Sequence, residues 1–584
     1  MLLLLASGRL AAQSVNYTVA LGDAAQHLLH ITVALPPGAN QREVQLPVWN
    51  ALYQIRDFSK NLEWIRARDS AQRSLPVRAL DKSKWQVSGA AGGAEIEYEI
   101  VADLPGPFGA EFNGGHAFLN LAEVLIYAVD LRGVSASVQF TQIPAGWKIA
   151  TALATDPAQP GTFIAPSYDA LVDAPVEMGT FSEASFTQAA ATYHVVVDAP
   201  SDAYKPSALE SMAQKITAAA VDWMHDKPFD QYLFIYHFPE RGGGGMEHAY
   251  SCAIDLPSAR LTGDPLALEK VTAHEFFHLW NVKRIRPASL EPVDYTRENY
   301  TRALWFSEGV TSTAQEIILL RAGLMNEQQF LADLALEIHE LQLRPAHLTQ
   351  SVEDSSLDAW LEKYPEYREP ARSISYYNKG ELLGVMLDLA LRQATDDRKS
   401  LRDLFQWMNV HYAQQHRFFP DSDGVREAAE AISGRSFEDF FNSYVKGVTE
   451  LPYDQFFSAV GLEVEQRPSQ VAVLGFDSVR NFGQLPVVVA VDPASDAARA
   501  GVEAGDTVLG LNGKMPAGEL ADAVRDLLPG NTVRLKLETP RGRREIKLKL
   551  GARDEQIVSV VPAANPSAQQ LAWRAAWLNG EDSP

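Results

Sequence analysis

The spacing of apolar positions changes character along the chain. Between residues 15 and 193, short runs alternate apolar and polar side chains, as in His30-Ile31-Thr32-Val33-Ala34-Leu35, residues 95–101 and residues 136–140. Gly, Pro, Asn and Asp separate these runs. A period of two with such punctuation predicts strands, and an all-β N-terminal domain over 14–194. From Pro206 the period becomes helical. Met212, Ile216, Ala219, Ala220 and Trp223 keep to one face of a helix over 208–225. A strand at 231–237 and the glycine run 242–245 follow, and then helical patterns dominate at 266–282, 303–322, 327–341, 379–393 and 400–413. These predict a mostly helical domain over 195–460. Past residue 466 short β-runs return at 486–491, 507–511, 532–537 and 545–550, around one helical stretch at 517–528. The segment 553–584, with Trp573 and Trp577, is too short for a domain and is expected to be a tail.

Composition narrows this picture. At 584 residues the chain is too long for one core. Hydrophobic residues at 46% and charged residues at 21% are ordinary for globular protein. A formal net charge of -23 argues against nucleic acid or an anionic membrane as partner. No apolar run approaches the ~20 residues of a membrane-spanning helix. The lone cysteine, Cys252, excludes an intrachain disulfide and reads as a small buried filler. Residues 1–13, with Leu2, Leu3, Leu4 and Leu5 before Ala11-Ala12, look like the remnant of a secretory signal. They predict a periplasmic or secreted protein.

The chemistry concentrates at His274-Glu275-Phe276-Phe277-His278. Residues four apart share one helix face, so His274 and His278 can converge on one ion. Imidazole suits zinc, and catalytic zinc typically keeps three protein ligands. Glu275, beside the first histidine, can act as the general base toward water. A metzincin would need Gly at 281 and His at 284, but Asn281 and Arg284 stand there. The third ligand is therefore expected to be a carboxylate. Glu298 has the spacing of thermolysin-like enzymes but sits in a polar, loop-like run. Glu308, in Leu304-Trp305-Phe306-Ser307-Glu308-Gly309-Val310-Thr311, opens an apolar helix that fixes a ligand better, and is preferred.

Those residues carry a resemblance. HEFFHLWNVKRIRP at 274–287 and WFSEGVT at 305–311 resemble the glycyl aminopeptidase family of zinc metallopeptidases, gluzincins related to aminopeptidase N. The resemblance implies a multidomain α+β chain. An all-β N-terminal domain precedes a thermolysin-like catalytic domain, and residues 492–513 resemble the turns of a PDZ domain, here over 466–552. It also implies one zinc ion per chain, held by His274, His278 and the glutamate of WxxEG, Glu308. Gly243-Gly244-Gly245-Met246-Glu247-His248 is similar to the GxMEN exopeptidase motif. Glu247 would then bind the substrate's free amino group, with Gly244, Gly245 and Met246 beside the peptide. Glycines allow close backbone approach and a carboxylate suits an ammonium. His248 replaces the usual asparagine, and its role is open. No Lys-Ser or Lys-Thr follows the glycines, which argues against a phosphate loop. Tyr377-Asn378-Lys379-Gly380 resembles the YxKG motif, whose tyrosine donates to the oxyanion; Tyr376 is the neighbouring alternative.

The expected activity is removal of N-terminal residues from peptides with a free N-terminus, and the resemblance implies a preference for small ones, glycine or alanine. Two rivals stand beside it. One is a zinc endopeptidase whose PDZ domain captures substrate C-termini on the backbone of Leu474-Gly475-Phe476. The other is a non-catalytic scaffold binding partner tails.

Overall fold

The computed structural model describes residues 14–50, 53–200, 203–263, 266–362, 370–479, 485–514 and 520–580; the signal-like 1–13 lie outside them. The alternating runs of the first region pair into an eight-stranded sheet centred on Val15–Leu21, Leu28–Leu35, Ala94–Val101 and Leu62–Arg68. The register places Val19, Ile31, Tyr98 and Ile65 in one row across those four strands. Val19, Ile31 and Tyr98 are fully buried. Burial of such side chains stabilises by roughly 1.5–3 kcal/mol each. The phenol of Tyr98 donates to Val124 O at 2.8 Å and accepts from Ile126 N at 2.9 Å, so its polar end is satisfied inside the core. Two four-stranded sheets complete the domain.

The expected boundary at 194 falls inside a strand. Ser182–Gln188 pairs with Ala191–Asp198, and the latter runs parallel to Gln231–His237, so both belong to the next sheet. A strand's period does not say which sheet it joins. That five-stranded sheet has Gly244–Glu247 as an antiparallel edge beside Ser251–Asp255. Helix Pro206–Met224 provides the crossover that a parallel pair requires. The alternation in Gln231–His237 places its two faces against different neighbours. Tyr232 and Phe234 pack on Phe276 of helix Ala267–Phe277, with ring centroids 4.9 and 5.8 Å apart. Leu233 and Ile235 face Phe118 of the N-terminal domain. Cys252 is a free, fully buried thiol on the neighbouring strand.

The helices expected at 327–341, 379–393 and 400–413 are observed as Glu327–Gln342, Tyr376–Thr395 and Leu401–His411. The stretch expected as one helix over 303–322 differs: a π-turn, Trp305–Val310, precedes the α-helix Thr311–Arg321.

A third core gathers around a five-stranded sheet running Phe476–Val479, Val487–Val491, Thr507–Leu511, Thr532–Thr539 and Gly542–Lys549. Of the helix expected at 517–528, residues 515–519 lie outside the described residues, and within 520–528 only Asp522–Arg525 is helical. Residues 553–580 of the segment expected as a tail are instead packed into the fold. Gly551–Pro562 pairs along the whole of Leu462–Val473, and helix Ala568–Asn579 docks Trp577 on Phe330 with centroids 5.3 Å apart. Two tryptophans four residues apart make an apolar helix face that must be covered.

Candidate metal centre and substrate cleft

Helix Ala267–Phe277 carries His274 and Glu275, and His278 follows at its C-cap. The four-residue spacing brings the two imidazoles to 4.6 Å between centroids. Both Nε2 atoms lie 3.4 Å from Glu308 Oε2, and the three donor atoms lie within 4.8 Å of one another. His278 Nδ1 donates to Asn281 O at 2.7 Å, so a neutral ring keeps its lone pair on Nε2, toward Glu308. All of this is buried or nearly so. The trio can hold a divalent metal. Glu298 is neither in this donor group nor among the residues lining the cleft.

Two glycines explain where Glu308 sits. A Cβ on Gly309 would stand 2.5 Å from Gly380 Cα and 2.6 Å from Tyr376 O, and one on Gly380 would stand 2.4 Å from Trp305 O. The π-turn bearing Glu308 and the helix start bearing Tyr377 therefore touch backbone to backbone. Such π-turns recur at functional sites. Asn281 braces the same turn, donating to Phe306 O at 2.9 Å and Thr311 Oγ1 at 3.0 Å.

Glu275 is buried, and its Oε2 has no hydrogen-bond partner among the described residues. A Cβ on Gly245 would come within 2.2 Å of Glu275 Oε1, so glycine there lets the edge strand lie over this carboxylate. The next residues on that strand bring Glu247 in, with ligand atoms of Glu247, Glu275 and His278 within 4.8 Å of one another. Burial pushes the Glu275 carboxyl up to about 8; His278 opposes this while Glu247 and Glu308 add to it. Burial also acts to raise Glu308, but the two imidazoles outweigh it and hold that carboxyl well below the usual range.

A cleft of about 180 Å³ opens over these groups, lined by Met246, Glu247, Glu275 and Tyr377 and walled by Trp49, Asn50, Tyr53 and Phe108 of the N-terminal domain. Gly244 continues the edge strand outside the lining. Tyr377 holds its ring 6.2 Å from that of His274, whereas Tyr376 is fully buried in the core. Leu474 and Phe476 are buried in the third core and do not line the cleft, with Gly475 between them at φ +77.

Two cleft residues escaped the sequence reading. Asp173, from the N-terminal domain, accepts from Lys283 Nζ at 2.7 Å and from Ala249 N at 2.9 Å. Buried His248 places Nδ1 3.5 Å from the same carboxylate. Burial acts to raise Asp173, but Lys283 and His248 hold it well below the ordinary aspartate range. Lys283 stood in the 274–287 run without a role; Asp173 carried no local signal at all.

Residues 16–180 match the family model of the peptidase M61 N-terminal domain, and residues 267–383 match that of the M61 glycyl aminopeptidase. The chain carries both domain signatures of the M61 glycyl aminopeptidase family. It is an aminopeptidase-type metallopeptidase. The matched catalytic region contains His274, Glu275, His278, Glu308 and Tyr377 of this M61 peptidase. An aminopeptidase N family protein from Idiomarina loihiensis shares the fold, at 24% identity and a TM-score of 0.80, over 97% of this chain and 100% of that one. An M1 zinc metallopeptidase from Deinococcus radiodurans is similar over 76% of this chain and 95% of that one, at 15% identity and a TM-score of 0.48. No curated protein matches the sequence. Among the described residues no helix is long and apolar enough to cross a membrane.

Proposed function

We propose that this M61 peptidase is a zinc-dependent aminopeptidase removing small N-terminal residues, glycine and alanine, from peptides. The observation that carries the reading is the position of Glu247. A carboxylate suited to a substrate ammonium lies within one donor-atom cluster with Glu275 and His278, so an amine bound there puts the first peptide bond at the histidines.

The donor set fits zinc: two imidazole nitrogens and one carboxylate, with the orphaned Glu275 Oε2 beside them. His274, His278 and Glu308 would hold one ion per chain, which supplies Lewis acidity toward the scissile carbonyl and toward water. Glu275 takes the proton from the attacking water and passes it to the departing amine. Tyr377 donates its phenol hydrogen to the oxyanion of the tetrahedral intermediate. Gly245 and Met246 offer the peptide an edge strand, while Gly244 lets that strand turn in. The aromatic wall and a volume near 180 Å³ favour a small first side chain, since sites for larger ligands run to roughly 300–1,000 Å³.

We read the third core as a PDZ-like domain within 466–552, with Leu474-Gly475-Phe476 as its carboxylate loop. Phe476–Val479 ends the strand order of its sheet, a position suited to adding a peptide strand. Capture of C-termini there would serve an endopeptidase equally. The signal-like 1–13 support a periplasmic or secreted location.

Glu275→Gln tests the mechanism. The variant should retain zinc while hydrolysis of Gly- and Ala-anilides falls by orders of magnitude; near-normal turnover would remove Glu275 from the reaction.

A further inference from the structure

We propose a second divalent-cation site, of the zinc class, where the N-terminal domain meets the catalytic sheet. His116 and Glu177 lie on the adjacent strands His116–Leu119 and Val176–Gly179 of the N-terminal domain. His237 ends the strand Gln231–His237 of the catalytic sheet. His116 Nδ1 is 3.3 Å from Glu177 Oε1, and His237 Nε2 is 3.2 Å from Glu177 Oε2. One ligand atom from each residue lies within 4.8 Å of the other two, as in the catalytic trio.

Three more carboxylates surround this group. Asp255 Oδ1 is 2.8 Å from His237 Nδ1 and orients that ring, leaving Nε2 directed at Glu177. Asp198 Oδ2 lies 3.0 Å from His116 Nδ1, and Glu111 Oε2 lies 3.5 Å from His116 Nε2. The side chain of Glu177 is wholly buried and that of His237 is 10% exposed. Four carboxylates thus face two imidazoles, and even two imidazolium ions leave an excess of negative charge. Among the described residues no lysine or arginine ion pair engages Glu111, Glu177, Asp198 or Asp255. Buried uncompensated charge is costly, and a divalent cation offsets it. Paired imidazoles with a carboxylate favour a zinc-like ion over magnesium or calcium.

None of its three residues lines the catalytic cleft, and its part is to clasp. Asp255 pairs in register with Gly244, and Glu247 lies three residues further along that edge strand, roughly 10 Å away. A cation on His116, Glu177 and His237 ties the N-terminal domain to the strands that present Glu247.

The test is Zn²⁺ titration of the full-length, chelator-stripped chain against a chromophoric chelator. Wild type should bind two equivalents, and His116→Gln should bind one while its circular dichroism stays native. A His274→Ala/His278→Ala variant leaves the proposed ligands untouched; it should still bind one equivalent and gain Tm on zinc addition. Adding His116→Gln to that variant should abolish both effects. Overturning results are one equivalent in wild type, or neither zinc binding nor a Tm gain in the His274→Ala/His278→Ala variant. The cluster would then be an ion-paired junction only.

Discussion

The molecule holds two histidine–carboxylate groups of like geometry and opposite visibility. His274 and His278 sit four residues apart on one helix, and their carboxylate follows thirty residues later at Glu308. His116, Glu177 and His237 come from three strands in two domains, spread over more than a hundred residues. The first group combines a local spacing with one tertiary contact. The second is tertiary throughout. They also differ in surroundings: the first opens onto a cleft with an orphaned Glu275 oxygen, the second is enclosed by further carboxylates. On the roles proposed above, like donor sets serve different ends, one reaction and the other the joining of two domains.

Substitutions can break that contrast. The largest effect is expected at Glu275→Gln, whose activity should drop ~10²–10⁴-fold, the range for a lost general base. Zinc content by elemental analysis should stay unchanged. Tyr377→Phe should lower kcat by about 2.7–4 kcal/mol of transition-state stabilisation, as for a lost oxyanion donor. Tyr376→Phe serves as its control, and an equal loss there would reassign the phenol. Glu247→Ala should cost roughly 1.5–3 kcal/mol in kcat/KM on free peptides, the range for a hydrogen bond to a charged group. Gly309→Ala should lower unfolding free energy by roughly 1–3 kcal/mol in denaturant titration, because its methyl group meets the Gly380 backbone. Glu298→Ala should change stability by less than about 0.5 kcal/mol and leave zinc content intact.

Sequence periodicity revealed what is local. The strand 231–237 and three of the long helices appear where spacing put them, because each buries one periodic face. Glu308 was legible as the polar residue opening an apolar helix. The π-turn beneath it was not, since it arises from the Gly309–Gly380 contact between separate segments. The boundary at 194 was misplaced because the strand Ala191–Asp198 alternates like its N-terminal neighbours yet pairs onward. Asp173 was invisible for a similar reason: its partners Lys283 and His248 lie on another domain.

Recognition of a free N-terminus is the claim on which the rest depends, and a matched substrate pair tests it most directly. Zinc-loaded protein should hydrolyse glycyl- and alanyl-anilides and leave the same compounds intact once N-acetylated, since Glu247 then has no ammonium to hold. Equal rates on free and acetylated substrates would contradict the account.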